Sequence, residues 1–283
     1  MNFHTDEWIM ERVREHYAEA LLHFPEDRVV GIFLQGSQNY GLDTENSDVD
    51  TKLIVVPTFD DLVFNKQPVS TTHIRANNEH TDFKDIRLML QTFRKHNINF
   101  IEVLFTKYYI VNPKYADFWN QLIEEREKIA GSNPLATAKA LRGMALEKFN
   151  ALDHPYPSKA DILSKYGYDP KQLHHLVRLD CFFEYFSWGC SYEECLVPTN
   201  IDTENLIWIK NGNCCKTVEQ AKKMAELYLV SIERKYENYT SAYTKEEIEN
   251  SIAYQTTEEL LDRVQYEIME EGILKTDWSE KIC

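Results

Sequence analysis

In the segment Leu34 to Val56, LQGSQNYGLDTENSDVDTKLIVV, a glycine–serine pair precedes two acidic residues that stand two positions apart. Asp48 and Asp50 open an apolar strand, and on a strand residues i and i+2 project from the same face. Two carboxylates held side by side repel each other. A divalent cation relieves that repulsion, and hard oxygen ligands of this kind suit Mg²⁺. Gly36 lets the backbone approach a ligand closely, and Ser37 offers a hydroxyl and an amide where the chain turns, a geometry that suits a phosphate. A phosphate contact and metal-binding carboxylates on neighbouring strands are the parts that transfer of a nucleotidyl group requires.

Gly36-Ser37, ten intervening residues and Asp48-x-Asp50, flanked by the strands around Val29–Leu34 and Leu53–Val56, resemble the signature of the polymerase-β-like nucleotidyltransferase superfamily. The resemblance implies a third carboxylate on a neighbouring strand, for which Asp82 and Asp85 are the candidates. Asp82 is preferred, because it falls inside the expected strand His80 to Lys84 and can face the edge that carries Asp48 and Asp50. Asp85 stands where a helix begins, and capping explains it without catalysis. The family mechanism would then have Asp48 and Asp50 bind two Mg²⁺ ions, with Mn²⁺ an alternative, while Asp82 joins the catalytic metal and activates the acceptor hydroxyl. Gly36 and Ser37 would hold the β- and γ-phosphates of a nucleoside triphosphate while an acceptor hydroxyl attacks the α-phosphorus and pyrophosphate leaves. Lys84 and Arg87 are expected either to neutralise phosphate or to sit in exposed salt bridges.

A narrower resemblance, to a nucleotidyltransferase family associated with bacterial and phage RNA repair, is carried by three further stretches. They are Gly167 to Leu179 (GYDPKQLHHLVRL), Asn97 to Glu102 (NINFIE) and a strand-like Leu206 to Gly212 (LIWIKNG). Lys171, His175 and Arg178, at i, i+4 and i+7, fall on one helix face and form a cationic stripe able to hold the phosphates of the nucleotide or the acceptor. Tyr168 and Asp169 are placed to cap that helix, and Tyr168 could also stack on a base. His174 points away from the stripe. The aromatic cluster Phe182, Phe183, Tyr185, Phe186 and Trp188 reads as core.

These residues need elements to hold them. Thr5 caps a helix to about His23, with Ile9, Val13, Tyr17 and Leu21 on its apolar face. Val69–Arg75 and Glu79–Lys84 form a hairpin around Ala76-Asn77-Asn78. Asp85 opens a helix to about His96, and Pro113 opens another to about Lys128. Gly131-Ser132-Asn133-Pro134 is the clearest break in the chain. Beyond it the pattern is helical over 135–152, 170–188, 218–239 and 246–271, with a capping box at Thr217–Gln220 and Gly272 at the expected helix end. The expected fold class is α/β (α+β): a small mixed-sheet nucleotidyltransferase domain over 1–130, then an all-helical domain over 131–283, with the active site between them.

The composition narrows the partners. A net charge of −15 speaks against broad binding to duplex DNA, which runs on phosphate neutralisation, although the stretch from Ala136 to Arg178 is locally richer in Lys, Arg and His. No apolar run reaches membrane-spanning length, and the acidic amphipathic start does not read as a signal peptide. Six cysteines without paired CxxC spacing favour structural thiols over zinc, in a reducing, cytoplasmic setting. There is no P-loop, HExxH or nucleophile elbow. Two functions follow as expectations. One is nucleotidyl transfer to a hydroxyl on an RNA end, a small molecule or a protein. The other is a catalytically silent nucleotide-binding or sequestering protein on the same fold.

Overall fold

The computed structural model describes residues 2–274, which divide into two compact units. The first comprises 2–39, Asp43–Ser132 and 250–274; the second comprises Tyr40–Leu42 and Asn133–Glu249.

The first unit is built on a mixed five-stranded sheet in the order β3-β4-β2-β1-β5. The strands are β1 (Val29–Gln35), β2 (Asp50–Val55), β3 (Ser70–Ile74), β4 (His80–Asp85) and β5 (Tyr109–Val111). β2 and β4 run parallel and the other neighbours antiparallel. Alternation along each strand sorts the side chains between two faces. Ile32, Leu34, Leu53, Val55 and Phe83 join Ile9, Val13 and Ala20 of the helix Asp6–Ala20 in one buried cluster. Thr5 caps that helix by accepting from the Trp8 amide, as expected. The opposite face carries Gln35, Asp50, Lys52 and Asp82, which the registers Gln35↔Asp50 and Lys52↔Asp82 bring together. Towards β5 this face turns apolar, with the Phe33 ring 4.5 Å from that of Trp119.

Helices cover the rest. Asp85 caps Ile86–Arg94, and the segment expected to be one helix after Pro113 is two, Ala116–Glu124 and Arg126–Gly131. The helix expected over 246–271 also breaks: Lys245–Glu249 ends before Ser251, whose hydroxyl caps Ile252–Met269. That last helix departs from the expected domain division, which assigns it to the helical part. It buries Leu260, Leu261, Val264 and Ile268 within the first unit, and Arg94 pairs with its Glu258 and Asp262 at 2.8 and 2.6 Å. Gly272 is no helix cap either. A Cβ there would lie 2.7 Å from Val56 Cγ1 and 2.8 Å from the Tyr115 hydroxyl, so its lack of a side chain permits close packing.

The second unit is helical. Pro134–Asn150, Pro170–Ser187 and Val218–Ala242 pack through Leu141 and Ala145, Leu173, Val177 and Phe183, and Ala221, Ala225 and Ile232. Asn200–Lys210 is also a helix, so the strand-like reading of Leu206–Gly212 fails. A short run such as Leu-Ile-Trp-Ile fits either period, and here Thr199 caps a helix that buries Leu206 and Ile209, three apart on one face. Thr217 accepts from the Gln220 amide, but Gln220 returns its oxygen to the Lys216 amide, so the capping box is not closed. Phe182 and Phe183 are core, whereas Trp188 stands 67% exposed. None of the five described cysteines is in a disulfide; Cys283 lies outside the described residues. Among the described residues no helix is long and apolar enough to cross a membrane.

Candidate active site

β1 delivers the chain to Gly36, which takes φ +99°, a conformation that strains any residue with a Cβ, and faces open space. Ser37–Tyr40 then forms a single 3₁₀ turn. Two side chains of that turn stitch it down. Asn39 donates to the Leu34 carbonyl at 3.0 Å, and Gln38 donates to the Asp48 carbonyl at 2.7 Å. The glycine–serine turn and the acidic segment are therefore tied to each other directly, across ten residues of sequence.

Only Asp50 belongs to β2; Asp48 precedes the strand, yet the alternation holds, with Asp48 exposed, Val49 buried and Asp50 half-buried. The start of β4 clamps this segment. The Val49 amide donates to Glu79 Oε1 at 3.3 Å, and the His80 amide donates to Asp50 Oδ1 at 2.9 Å. Behind the sheet, Glu79 also meets Arg12, Arg75 and the fully buried His16, whose other nitrogen lies 2.9 Å from the Thr51 hydroxyl. Burial works against the Glu79 carboxylate, but bonds from His16, Arg12 and Asn77 outweigh it and hold its pKa at about 2.

Asp82 shares the polar face with Asp50, as expected, but its oxygens are turned to other partners. Oδ1 accepts from the Thr72 hydroxyl at 2.6 Å; Oδ2 faces Lys52 Nζ at 3.3 Å and the Gln35 amide at 3.4 Å. Burial raises its pKa, and those three neighbours more than offset this, so the net shift is downward. Lys52 is 3% exposed and donates to Gln35 Oε1, with its ammonium 4.3 Å from the Phe100 ring centre. Asp85 lies on the other face, 1% exposed, and is spent on capping and on a two-pronged pair with Arg87 at 2.9 and 2.7 Å. Arg87 is thus structural, and Lys84 donates to the Ser70 hydroxyl at 2.8 Å.

The donor set answers in part for a divalent ion. Asp48 and Asp50 supply hard oxygens on one edge, and phosphate and water can complete the shell. Among the described residues no group of three His, Cys, Asp or Glu side chains is placed to hold a metal ion, and the Asp82 oxygens are turned to Thr72, Lys52 and Gln35. Lys52 and Gln35 were not singled out from sequence. The signal was present: a lysine two residues after Asp50, inside an apolar strand, must share its face.

In the helical unit, Pro170–Ser187 carries the predicted stripe, with Lys171 exposed and His175 and Arg178 half-buried. The Arg178 guanidinium sits 3.9 Å from the centre of the Tyr40 ring. Burial, then His174 and the cations Arg178, Lys171 and Lys148, push the His175 pKa well down. The stripe therefore has two cations around a neutral imidazole, where three positive groups were expected. His174 is a packing residue, buried with Nδ1 2.9 Å from the Leu206 carbonyl. Tyr168 is fully buried and donates to the Cys215 carbonyl at 3.3 Å, so it offers no stacking platform. Asp169 caps the helix through the Lys171 amide at 2.9 Å.

No protein-family model matches the chain, and no curated protein matches it significantly. Among solved structures, a nucleotidyltransferase-like protein from Exiguobacterium sibiricum 255-15 is similar over 93% of this chain and 92% of its own, with 12% identity and a TM-score of 0.30. Similarity at that level carries no inference about activity.

Proposed function

We propose that the chain is a Mg²⁺-dependent nucleotidyltransferase that moves a nucleoside monophosphate from a nucleoside triphosphate to a hydroxyl. One observation carries the reading: Gln38 ties the open Gly36-Ser37 turn to the Asp48-Val49-Asp50 segment, so a phosphate cradle and a carboxylate pair are one local structure. In this reading the Gly36 backbone and the Ser37 hydroxyl receive the β- and γ-phosphates. Asp48 and Asp50 orient the divalent ion, with Mn²⁺ acceptable at the same oxygens. When bound, that ion offsets phosphate charge and polarises the α-phosphorus. Lys171 and Arg178 are the candidate phosphate contacts of the helical unit. An RNA end is the acceptor suggested by the resemblance to repair-associated nucleotidyltransferases; a small-molecule or protein hydroxyl is the other class.

The test is label transfer from α-labelled nucleoside triphosphates with Mg²⁺, across RNA, small-molecule and protein acceptors. Asp48→Ala and Asp50→Ala should each lower transfer by about a hundredfold or more, the scale of losing a preorganised electrostatic contact. A second reading, a catalytically silent nucleotide binder, is favoured by the occupation of Asp82 by Lys52. It would be upheld by nucleotide binding that survives both substitutions with no transfer by any form.

A further inference from the structure

We propose that Lys52 takes the place of a metal ion beside Asp82, so that a divalent cation in this site is held by Asp48 and Asp50 and not by Asp82. The inference rests on the reading of Asp48 and Asp50 as metal ligands.

The register places Asp82 level with Lys52, its neighbour on the parallel strand, while the residue level with Asp50 on β4 is His80. Two residues along a strand are about 7 Å, so Asp82 is stepped away from Asp50 by roughly that distance. The step is filled. Lys52 reaches Asp82 Oδ2 at 3.3 Å from a pocket in which its side chain is 3% exposed. Gln35 locks the pair: its Oε1 accepts from the Lys52 ammonium, and its Nε2 donates to Asp82 Oδ2 at 3.4 Å. The other carboxylate oxygen is taken by the Thr72 hydroxyl at 2.6 Å.

A divalent ion bound through Asp82 would stand against an ammonium that has little solvent to retreat into. Expelling Lys52 would strand a buried charge; leaving it would set two cations side by side. Asp48 is exposed at the rim, and Asp50 uses Oδ1 to accept from the His80 amide, with the Lys52 charge acting on it through space and not through a direct ion pair as at Asp82. The third carboxylate thus acts as a positioning residue, holding β2, β4 and Gln35 in register through an internal cation.

Mn²⁺ titration of the full-length chain without nucleotide, followed by the resonance of the free ion, decides the matter. Asp50→Asn should weaken Mn²⁺ binding at least tenfold, and Asp82→Asn should weaken it by no more than about fivefold, the effect of losing a charge that is near the ion without touching it. Lys52→Met should tighten binding several-fold by releasing Asp82, and the Lys52→Met, Asp82→Asn double variant should lose that gain. If Lys52→Met does not fold by circular dichroism, the Asp82→Asn result alone decides. A tenfold loss in Asp82→Asn, equal to that in Asp50→Asn, overturns the inference. Absence of Mn²⁺ binding in every form overturns it together with the reading of Asp48 and Asp50 as ligands. Intact Mn²⁺ binding in this pattern without label transfer upholds the inference and overturns only the transferase reading.

Discussion

Gly36 is the residue on which the proposed phosphate cradle turns. Its φ of +99° is outside the range of ordinary L residues, and its Cβ direction meets nothing within 4 Å. Gly36→Ala therefore introduces strain without a clash, worth roughly 1–2 kcal/mol. Chemical denaturation should show that loss, and nucleoside triphosphate affinity should fall several-fold as the turn relaxes and its backbone withdraws. Unchanged stability would mean that the turn readily takes another conformation. The glycine and the carboxylate pair were readable from residue type and spacing alone, because only glycine is at ease at such a φ and only acidic residues offer hard oxygens in pairs. Lys52 was not singled out, although its face follows from the same alternation. What spacing could not supply is its partner: the pairing with Asp82 depends on the register of two strands joined in parallel, and register is a property of the assembled sheet.

At the scale of elements, the acidic segment is held by Glu79, just before β4, and by His80, its first residue. Glu79 accepts from the Val49 amide and from His16, both buried, and from the half-buried Arg12. Glu79→Ala leaves those donors unmatched and should destabilise the chain by about 2–4 kcal/mol in denaturant titration. Transfer activity should fall further than stability explains, since the Val49 amide sits between the two carboxylates. A variant that loses stability but keeps full activity at low temperature would show that the acidic segment does not need this anchor. The helices with clear caps, Asp6–Ala20 and Ile86–Arg94, were legible from Thr5 and Asp85. Two others were not. Leu206–Gly212 is too short for its period to decide, and the stripe of Ile252–Met269 says that the helix is half-buried without saying in which unit.

At the scale of the molecule, each unit keeps a buried neutral histidine, and this makes acid stability a shared property. His96 in the first unit has Nδ1 3.1 Å from the Ala130 carbonyl, and burial lowers its pKa to about 4 despite that bond. His174 in the second unit, buried against the Leu206 carbonyl and near Lys210, Arg178 and Lys171, is lowered to about 3. Unfolded, both would titrate near 6.5. A depressed histidine pKa means that the unfolded chain takes up the proton first, so stability is full above pH 6.5 and declines as the pH falls towards the folded values. Each histidine removes about 1.4 kcal/mol per pH unit in that window, or about 2 kcal/mol by pH 5. The net charge of −15 works the other way, since acid relieves self-repulsion, but ordinary carboxylates titrate near pH 4 and leave the histidines dominant between 6.5 and 5. Below 4.5 Glu79, held at about 2, adds to the loss, because its contribution is present above its unfolded pKa and disappears on protonation. Hydrogen exchange at pH 7 and pH 5, corrected for intrinsic rates, should show protection falling in both units. His96→Gln should flatten the response in the first unit, and His174→Gln should lessen it in the second, where His175 is also held well down. Equal protection at the two pH values in the unsubstituted chain would mean that neither imidazole is held neutral.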